Sequence, residues 1–329
     1  VKVLVTGASG MLGGAVASLL LRNGRDVRTF QRRPSGVPGA EDLAGDLADG
    51  SALANAVAGV DAVIHLAAKV SVTGNPDDFY RTNVLGTAGL LAAARSAGVQ
   101  HFVYVSSPSV AHTGASLVGA VAGPAQPELA RGSYARTKAQ AEILALEAND
   151  GQMPVAVLRP HIVWGPGDTQ LVERVLSRAR AGRLPLLAGG TALVDTTYVD
   201  NAASAIAAAL DRMEYISGSP LVITNGEPRP IGELLARICS AGGVREPRRS
   251  IPGWVGRAAG SVVESIWRAS KADSEPPMTR FLAEQLSTAH WFDQRHTRSL
   301  LGWTPEVSLD EGFARLAAHY GDSASRIRH

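Results

Sequence analysis

Tyr134 and Lys138 stand four residues apart in Tyr134-Ala135-Arg136-Thr137-Lys138, after Gly132 and Ser133, where the pattern predicts the start of a helix. On a helix that spacing puts both side chains on one face. A free tyrosine has a pKa of about 10 and exchanges protons poorly near neutrality. A lysine ammonium beside it favours the phenolate and is expected to lower that pKa. The pair can then pass a proton to or from an oxygen while a hydride moves to or from the carbon that bears it. With six tyrosines and four lysines in the chain, about 0.07 such pairs are expected by chance, so the spacing carries information. Ser106 and Ser107 follow the strand-like run Phe102-Val103-Tyr104-Val105. A serine beyond the carboxyl end of a strand can hold a substrate oxygen, and the residues alone do not separate the two.

Thr6-Gly7-Ala8-Ser9-Gly10-Met11-Leu12-Gly13 lies between a first strand-like run and a first helical run. Gly7 permits a tight turn, Gly10 lets the backbone approach a pyrophosphate, and Gly13 lets the helix pack close to the sheet. Free N–H groups at the helix start, with the helix dipole, then hold the anion. Ser9, Met11 and Leu12 share that turn. A site that prefers NAD carries Asp or Glu at the end of the second strand, but here the chain reads Phe30-Gln31-Arg32-Arg33. A guanidinium fork suits a 2′-phosphate. The expected cofactor is therefore NADP(H), with NAD(H) as the alternative, and Arg32 and Arg33 are the expected contacts, Arg32 first.

The elements that must position these residues alternate. Val1–Thr6, Asp26–Phe30, Ala62–Leu66, Phe102–Val105 and Val155–Leu158 read as strands; Leu12–Asn23, Ala52–Ala58, Phe79–Ala97 and Ser133–Ala148 read as helices. This alternation predicts an α/β fold, a doubly wound parallel sheet with helices on both faces. After Pro160 the pattern loosens. A strand near Thr196–Val199, a helix over Ala202–Leu210 and a strand over Leu221–Thr224 are expected, then short helices and loops. The reading is a dinucleotide-binding unit over 1–164, to which the chain returns around 191–225. A smaller discontinuous α+β substrate lobe is expected from 165–190 and 226–329. The formal net charge of +2 gives no sign of a nucleic-acid partner, and the single Cys239 excludes an internal disulfide. That cysteine usage, a strand-like start rather than a charged leader, and no apolar run of about 18 residues together suggest a cytoplasmic location. In Ile251–Ala269, Trp254, Val255, Ala258, Val262, Val263, Ile266 and Trp267 recur at helical spacing. That stripe suits packing on its own domain, a lid over an apolar substrate, or a peripheral membrane contact.

Taken together, the glycine turn, the serine and the Tyr–Lys pair resemble those of the extended short-chain dehydrogenase/reductases, and the likeness covers nearly the whole chain. It implies a Rossmann sheet and favours Ser107 as the catalytic serine with Tyr134 and Lys138, leaving Ser106 on the cofactor side. It also implies that Asp46 and Leu47 meet the adenine and that Leu66, Ala67, Ala68 and Lys69 line the cofactor. Asn83 would support the active site and is expected among the cofactor-binding residues, and the backbone of Pro160, Ile162 and Val163 would meet the nicotinamide amide. Pro276-Pro277-Met278-Thr279-Arg280 and Leu301-Gly302-Trp303-Thr304-Pro305 are similar to the 3β-hydroxysteroid dehydrogenase branch, which includes 2-alkyl-3-oxoalkanoate reductases. The implied activity is oxidoreduction of a β-keto or β-hydroxy group on an apolar substrate. A nucleotide-sugar epimerase or dehydratase with tightly held NAD is the alternative, and a non-catalytic redox sensor a third reading. Thr113–Arg131 is mostly small and apolar, unlike the usual sugar-nucleotide enzymes. The family also implies a homodimer through Phe79–Ala97 and Ser133–Ala148.

Overall fold

Val3, Leu4 and Val5 are fully buried, and successive side chains enter different cores. Val3 and Val5 join Val16, Leu20, Ile64 and Ile206, whereas Leu4 joins Leu53, Val63, Leu90 and Phe102. A strand that is apolar on both faces needs a layer of helices on each side. The computed structural model describes residues 1–71, 74–112, 114–256, 258–260, 263 and 280–326. Its main sheet consists of β1 (Lys2–Thr6), β2 (Asp26–Gln31), β3 (Glu41–Ala44), β4 (Ala62–His65), β5 (His101–Val105), β6 (Val155–Pro160) and β7 (Pro220–Ile223). The spatial order is β7-β6-β5-β4-β1-β2-β3, with every neighbouring pair parallel. The order reverses between β1 and β4, and the crevice beyond their carboxyl ends is where such sheets bind ligands. The helices Met11–Arg22 and Val199–Leu210 cover one face, and Gly50–Val57, Gly86–Ser96 and Gly132–Glu147 the other.

Three features depart from the sequence reading. β3 was not anticipated, because Glu41-Asp42-Leu43-Ala44 is charged. It is an edge strand, and Glu41 is held by Lys2 at 2.6 Å and Arg28 at 3.0 Å. The expected single helix Phe79–Ala97 is three pieces: an α-turn Pro76–Phe79, a π-wound turn Tyr80–Leu85, and the α-helix Gly86–Ser96. The wider turn carries Asn83 into the interior, where it is 1% exposed. Finally, Leu117–Ala120, within the mostly small and apolar stretch Thr113–Arg131, is a strand at the edge of a second, four-stranded sheet. The others in that sheet are His290–Phe292, Leu193–Val194 and Arg229–Pro230.

This second sheet and the helices Val172–Arg180, Ile231–Ala241 and Leu309–Arg326 surround a third core. In it Trp164 stacks on Phe313, ring centroids 4.4 Å apart. Of the amphipathic stretch Ile251–Ala269, residues 257, 261, 262 and 264–269 lie outside the described residues, as does Pro276–Thr279; Trp254 is exposed. Among the described residues no helix is long and apolar enough to cross a membrane.

Candidate active site

At the switch point Gly7 turns the chain with φ of +77° and donates its N–H to the Phe30 carbonyl at 3.1 Å. A Cβ there would press to 2.9 Å against the Ala67 backbone, so the ends of β1 and β4 lie in contact. A Cβ on Gly13 would collide with the Gly7 carbonyl oxygen and stand 2.8 Å from its carbon. The first helix is therefore seated directly on the turn. Gly10 is different. Its φ is −93°, and an added Cβ would meet only the Gly7 oxygen, at an ordinary 3.5 Å. Internal packing does not demand a glycine here; a ligand that must come close to the backbone does. Gly10 is the N-cap and supplies no side-chain bond to the first turn, whose N–H groups suit a phosphate. Ser9 is exposed, and Met11 and Leu12 pack their side chains on the third core. The turn thus fits the diphosphate of a dinucleotide.

Arg32 and Arg33 are exposed just beyond β2. Asp42 of the neighbouring β3 faces the same end of β2, but the chain occupies it. Its carboxylate accepts from the Thr29 hydroxyl at 2.6 Å, the Gln31 amide, and the Ser35 N–H at 2.9 Å. Gly45 donates to the Gln31 carbonyl at 3.0 Å, which brings the exposed Asp46 alongside. Leu47 turns its side chain into the core beside Leu53 and Phe30, so only its backbone is available to a ligand.

Beyond β4, a polar chain fixes the cofactor-side backbone. Thr6 Oγ1 accepts from the Ala67 N–H at 3.1 Å and is 2.7 Å from His65 Nδ1, whose other nitrogen is 3.0 Å from Thr87 Oγ1. Burial, aided by Lys138, pulls His65 down to about 3, so it stays neutral and structural. Asn83 does not reach outward as a cofactor ligand. Its amide donates to the Lys69 carbonyl at 3.2 Å and Thr137 Oγ1 at 3.0 Å, and its oxygen accepts from the Lys69 N–H at 2.7 Å. It ties the segment after β4 to the helix that carries Tyr134 and Lys138, and is a positioning residue. The Lys69 ammonium is held by Asp78 at 2.8 Å.

Tyr134 and Lys138 share one helix face as expected, but their electrostatics differ from the expectation. Lys138 Nζ donates to the Val105 carbonyl at 2.7 Å and lies 4.2 Å from the centre of the Tyr104 ring. Burial drives its pKa down to about 7, opposed by Glu142 one turn on. Tyr134 is not acidified. Burial pushes it up to about 12, with a hydrogen bond to Ser107 acting the other way. The reason is desolvation: in a dry site each group loses its charged form unless a close opposite charge repays the loss. Tyr134 is thus a neutral phenol, a proton donor in waiting. Ser107 caps the 3₁₀ turn Pro108–Ala111, and Ser106 leaves its buried hydroxyl without a partner among the described residues, as a ligand-facing group would. Pro160 ends β6, and Ile162 adopts φ of +43°. That is costly for a β-branched residue and is seen where function constrains the backbone.

Ser107, Tyr134 and Ile162 open onto a cavity of about 360 Å³. Its far wall is apolar: Leu171, Val175, Leu234, Ile238 and Phe313 contribute. Its near wall carries His112, His161 and His290. Sequence reasoning missed the cluster these histidines form, because His112 and His290 are 178 residues apart and nothing local marks them.

The profile of the NAD dependent epimerase/dehydratase family matches residues 3–223. The chain belongs to that family, the extended short-chain dehydrogenase/reductases. It is 41% identical over 325 residues to a 2-alkyl-3-oxoalkanoate reductase of Stenotrophomonas maltophilia, covering 96% of this chain and 98% of the other. It is 31% identical over 337 residues to a 3-beta-hydroxysteroid dehydrogenase of Mycolicibacterium neoaurum, covering 98% and 92%. A solved structure of MoeE5 with UDP-glucuronic acid and NAD superposes with a TM-score of 0.74 at 27% identity, covering 98% of this chain and all of the other. As an extended short-chain dehydrogenase/reductase the protein is an NAD(P)-binding oxidoreductase that acts on a CH–OH or C=O group. The glycine turn and the Ser–Tyr–Lys set are the parts of the family pattern that this crevice assembles.

Proposed function

We propose that the protein is an NADP(H)-dependent reductase of a 3-oxo group on an apolar, acyl-like substrate. The observation that carries this reading is the apolar cavity that opens on Tyr134 and Ser107. The substrate carbonyl would lie between the Ser107 hydroxyl, which orients it, and the Tyr134 phenol, which gives up its proton to the oxygen as the alcohol forms. Lys138, at about 7, can return that proton to the phenol or hold charge beside it. The apolar wall excludes water and takes the alkyl chain. The turn Gly7–Gly13 would hold the diphosphate, Arg32 and Arg33 the 2′-phosphate, and the segments Leu66–Lys69 and Pro160–Val163 the nicotinamide end. When bound, the nicotinamide supplies or accepts the hydride. The 2-alkyl-3-oxoalkanoate reductase named above supports the substrate class, and the MoeE5 complex supports a sugar-nucleotide alternative.

NADPH absorbance, followed against a 3-oxoacyl ester, a 3-ketosteroid and a UDP-sugar, tests the reading. Consumption with the 3-oxoacyl ester is expected, and Tyr134→Phe should slow it about 10²- to 10⁴-fold. Full turnover in Tyr134→Phe, or epimerisation of the UDP-sugar without NADPH consumption, would overturn it.

A further inference from the structure

The near wall of the cavity holds polar capacity that reduction of a ketone does not use. Ser109 Oγ stands 3.0 Å from Ser107 Oγ, and His112 caps the end of the same 3₁₀ turn. The Nε2 atoms of His112 and His290 are 3.1 Å apart. Thr288 Oγ1 is 2.8 Å from the same His290 nitrogen and gives its hydrogen to the Glu284 carbonyl at 2.7 Å. The hydroxyl therefore shows His290 a lone pair, so His290 Nε2 carries the hydrogen and Nδ1 is the bare acceptor. That Nδ1 is buried and has no partner among the described residues. His161 donates from Nδ1 to the Asp195 carbonyl at 2.5 Å, which leaves its Nε2 as a second bare acceptor. The His161 and His290 ring centres are 6.1 Å apart. His112, His161 and His290 are 4%, 7% and 1% exposed.

Charged groups also border the cluster and its cavity. Glu284, on the helix Arg280–Gln285, faces His112 but is paired with Arg131. The Asp195 carboxyl is buried and held by Thr224 at 2.7 Å, with burial raising it to about 6. Arg174 and Arg178 line the cavity from the helix Val172–Arg180, beside the apolar wall. Burial keeps the three imidazoles neutral: His161 falls to about 4, His290 to about 3, and His112 below its usual range.

We infer that this imidazole cluster receives the carboxyl group of a free 3-oxo or 3-hydroxy acid, and that the acid is bound together with one proton. This deepens the proposed function and rests on it. In such an acid the carboxyl carbon is two bonds from the reacting carbon, so the headgroup must sit beside Ser107 and Tyr134. The path Ser107–Ser109–His112 leads there. At the histidines themselves a bare carboxylate would meet the nitrogen lone pairs of His161 and His290 rather than donors. A carboxyl group that shares one proton with an imidazole gains a charge-assisted hydrogen bond instead. An ester brings no proton and leaves the buried acceptors unmet.

Calorimetric titration of the full chain in complex with NADPH, which cannot oxidise a hydroxy acid, tests this. The probes are 3-hydroxydecanoic acid and its methyl ester, each in buffers of different ionisation enthalpy. The acid should take up about one proton, and its Kd should rise about tenfold per pH unit above neutrality; the ester should take up none. A buffer-independent enthalpy for the acid, or a Kd that is flat with pH, would overturn the inference. His112→Gln and His290→Gln should each lower the acid-to-ester ratio of kcat/KM, in the NADP⁺-dependent direction, by about tenfold. An unchanged ratio in folded variants would also overturn it. Ester turnover without proton-linked acid binding removes only this inference, whereas no turnover of acid, ester or 3-oxo compound removes the proposed function as well.

Discussion

Gly10 and Gly13 belong to one turn, yet replacing each by alanine should break different things. At Gly13 the new methyl group would drive into the Gly7 carbonyl, and neither backbone segment can rotate aside as a side chain could. Relief requires the helix Met11–Arg22 to lift from the sheet, an overpacking cost of about 1–3 kcal/mol. At Gly10 the methyl group meets nothing closer than 3.5 Å, and the backbone is already extended at φ −93° and ψ 160°. Alanine is a poorer N-cap than glycine, but it also reduces the freedom of the unfolded chain, a gain of about 0.4–1 kcal/mol. The two nearly cancel, so Gly10→Ala should change stability by no more than about 0.5 kcal/mol. The same methyl group stands where the diphosphate must come close. Loss of one charge-assisted hydrogen bond, about 1.5–3 kcal/mol, weakens NADPH about 10- to 100-fold. Urea unfolding of the cofactor-free protein and NADPH fluorescence titration separate the two effects. Equal destabilisation by both substitutions, or unchanged NADPH affinity in Gly10→Ala, would refute the assignment of Gly10 to the ligand.

Arg32→Ala should weaken NADPH about tenfold or more and leave NADH little changed, because only the 2′-phosphate distinguishes them; parallel titration with both cofactors reads this, and equal losses would contradict it. Lys138 supplies a pH test. It releases its proton at about 7 in the folded chain against an ordinary 10.5, so across that interval the unfolded chain holds more protons and stability should rise with pH. Lys138→Met should flatten that rise in the urea midpoint of cofactor-free protein; identical profiles for the two proteins would show that Lys138 is not depressed.

The sheet was legible because parallel strands buried on both faces must be apolar throughout, and Val3–Val5, Ala62–Ile64 and Val155–Leu158 are. β3 was not, because an edge strand can carry Glu41 and Asp42 and still pair with β2. The π-wound turn at Tyr80–Leu85 was hidden for a different reason. Its sequence suits an α-helix, and the extra residue per turn is accommodated by what Asn83 binds, Lys69 and Thr137, which no local pattern shows. The Tyr134–Lys138 spacing gave the right face and the wrong electrostatics, since spacing does not report desolvation.

By itself the sequence determined the α/β alternation, the glycine turn and the Tyr–Lys face, because each is set by residues within a few positions of one another. Tertiary structure alone decided what lies opposite them. It brought His112, His161 and His290 to one wall, closed the apolar cavity with residues from both halves of the chain, and buried Tyr134 enough to raise its pKa where the neighbouring lysine alone would lower it. Burial and long-range proximity depend on the whole packed chain, and no short stretch encodes them.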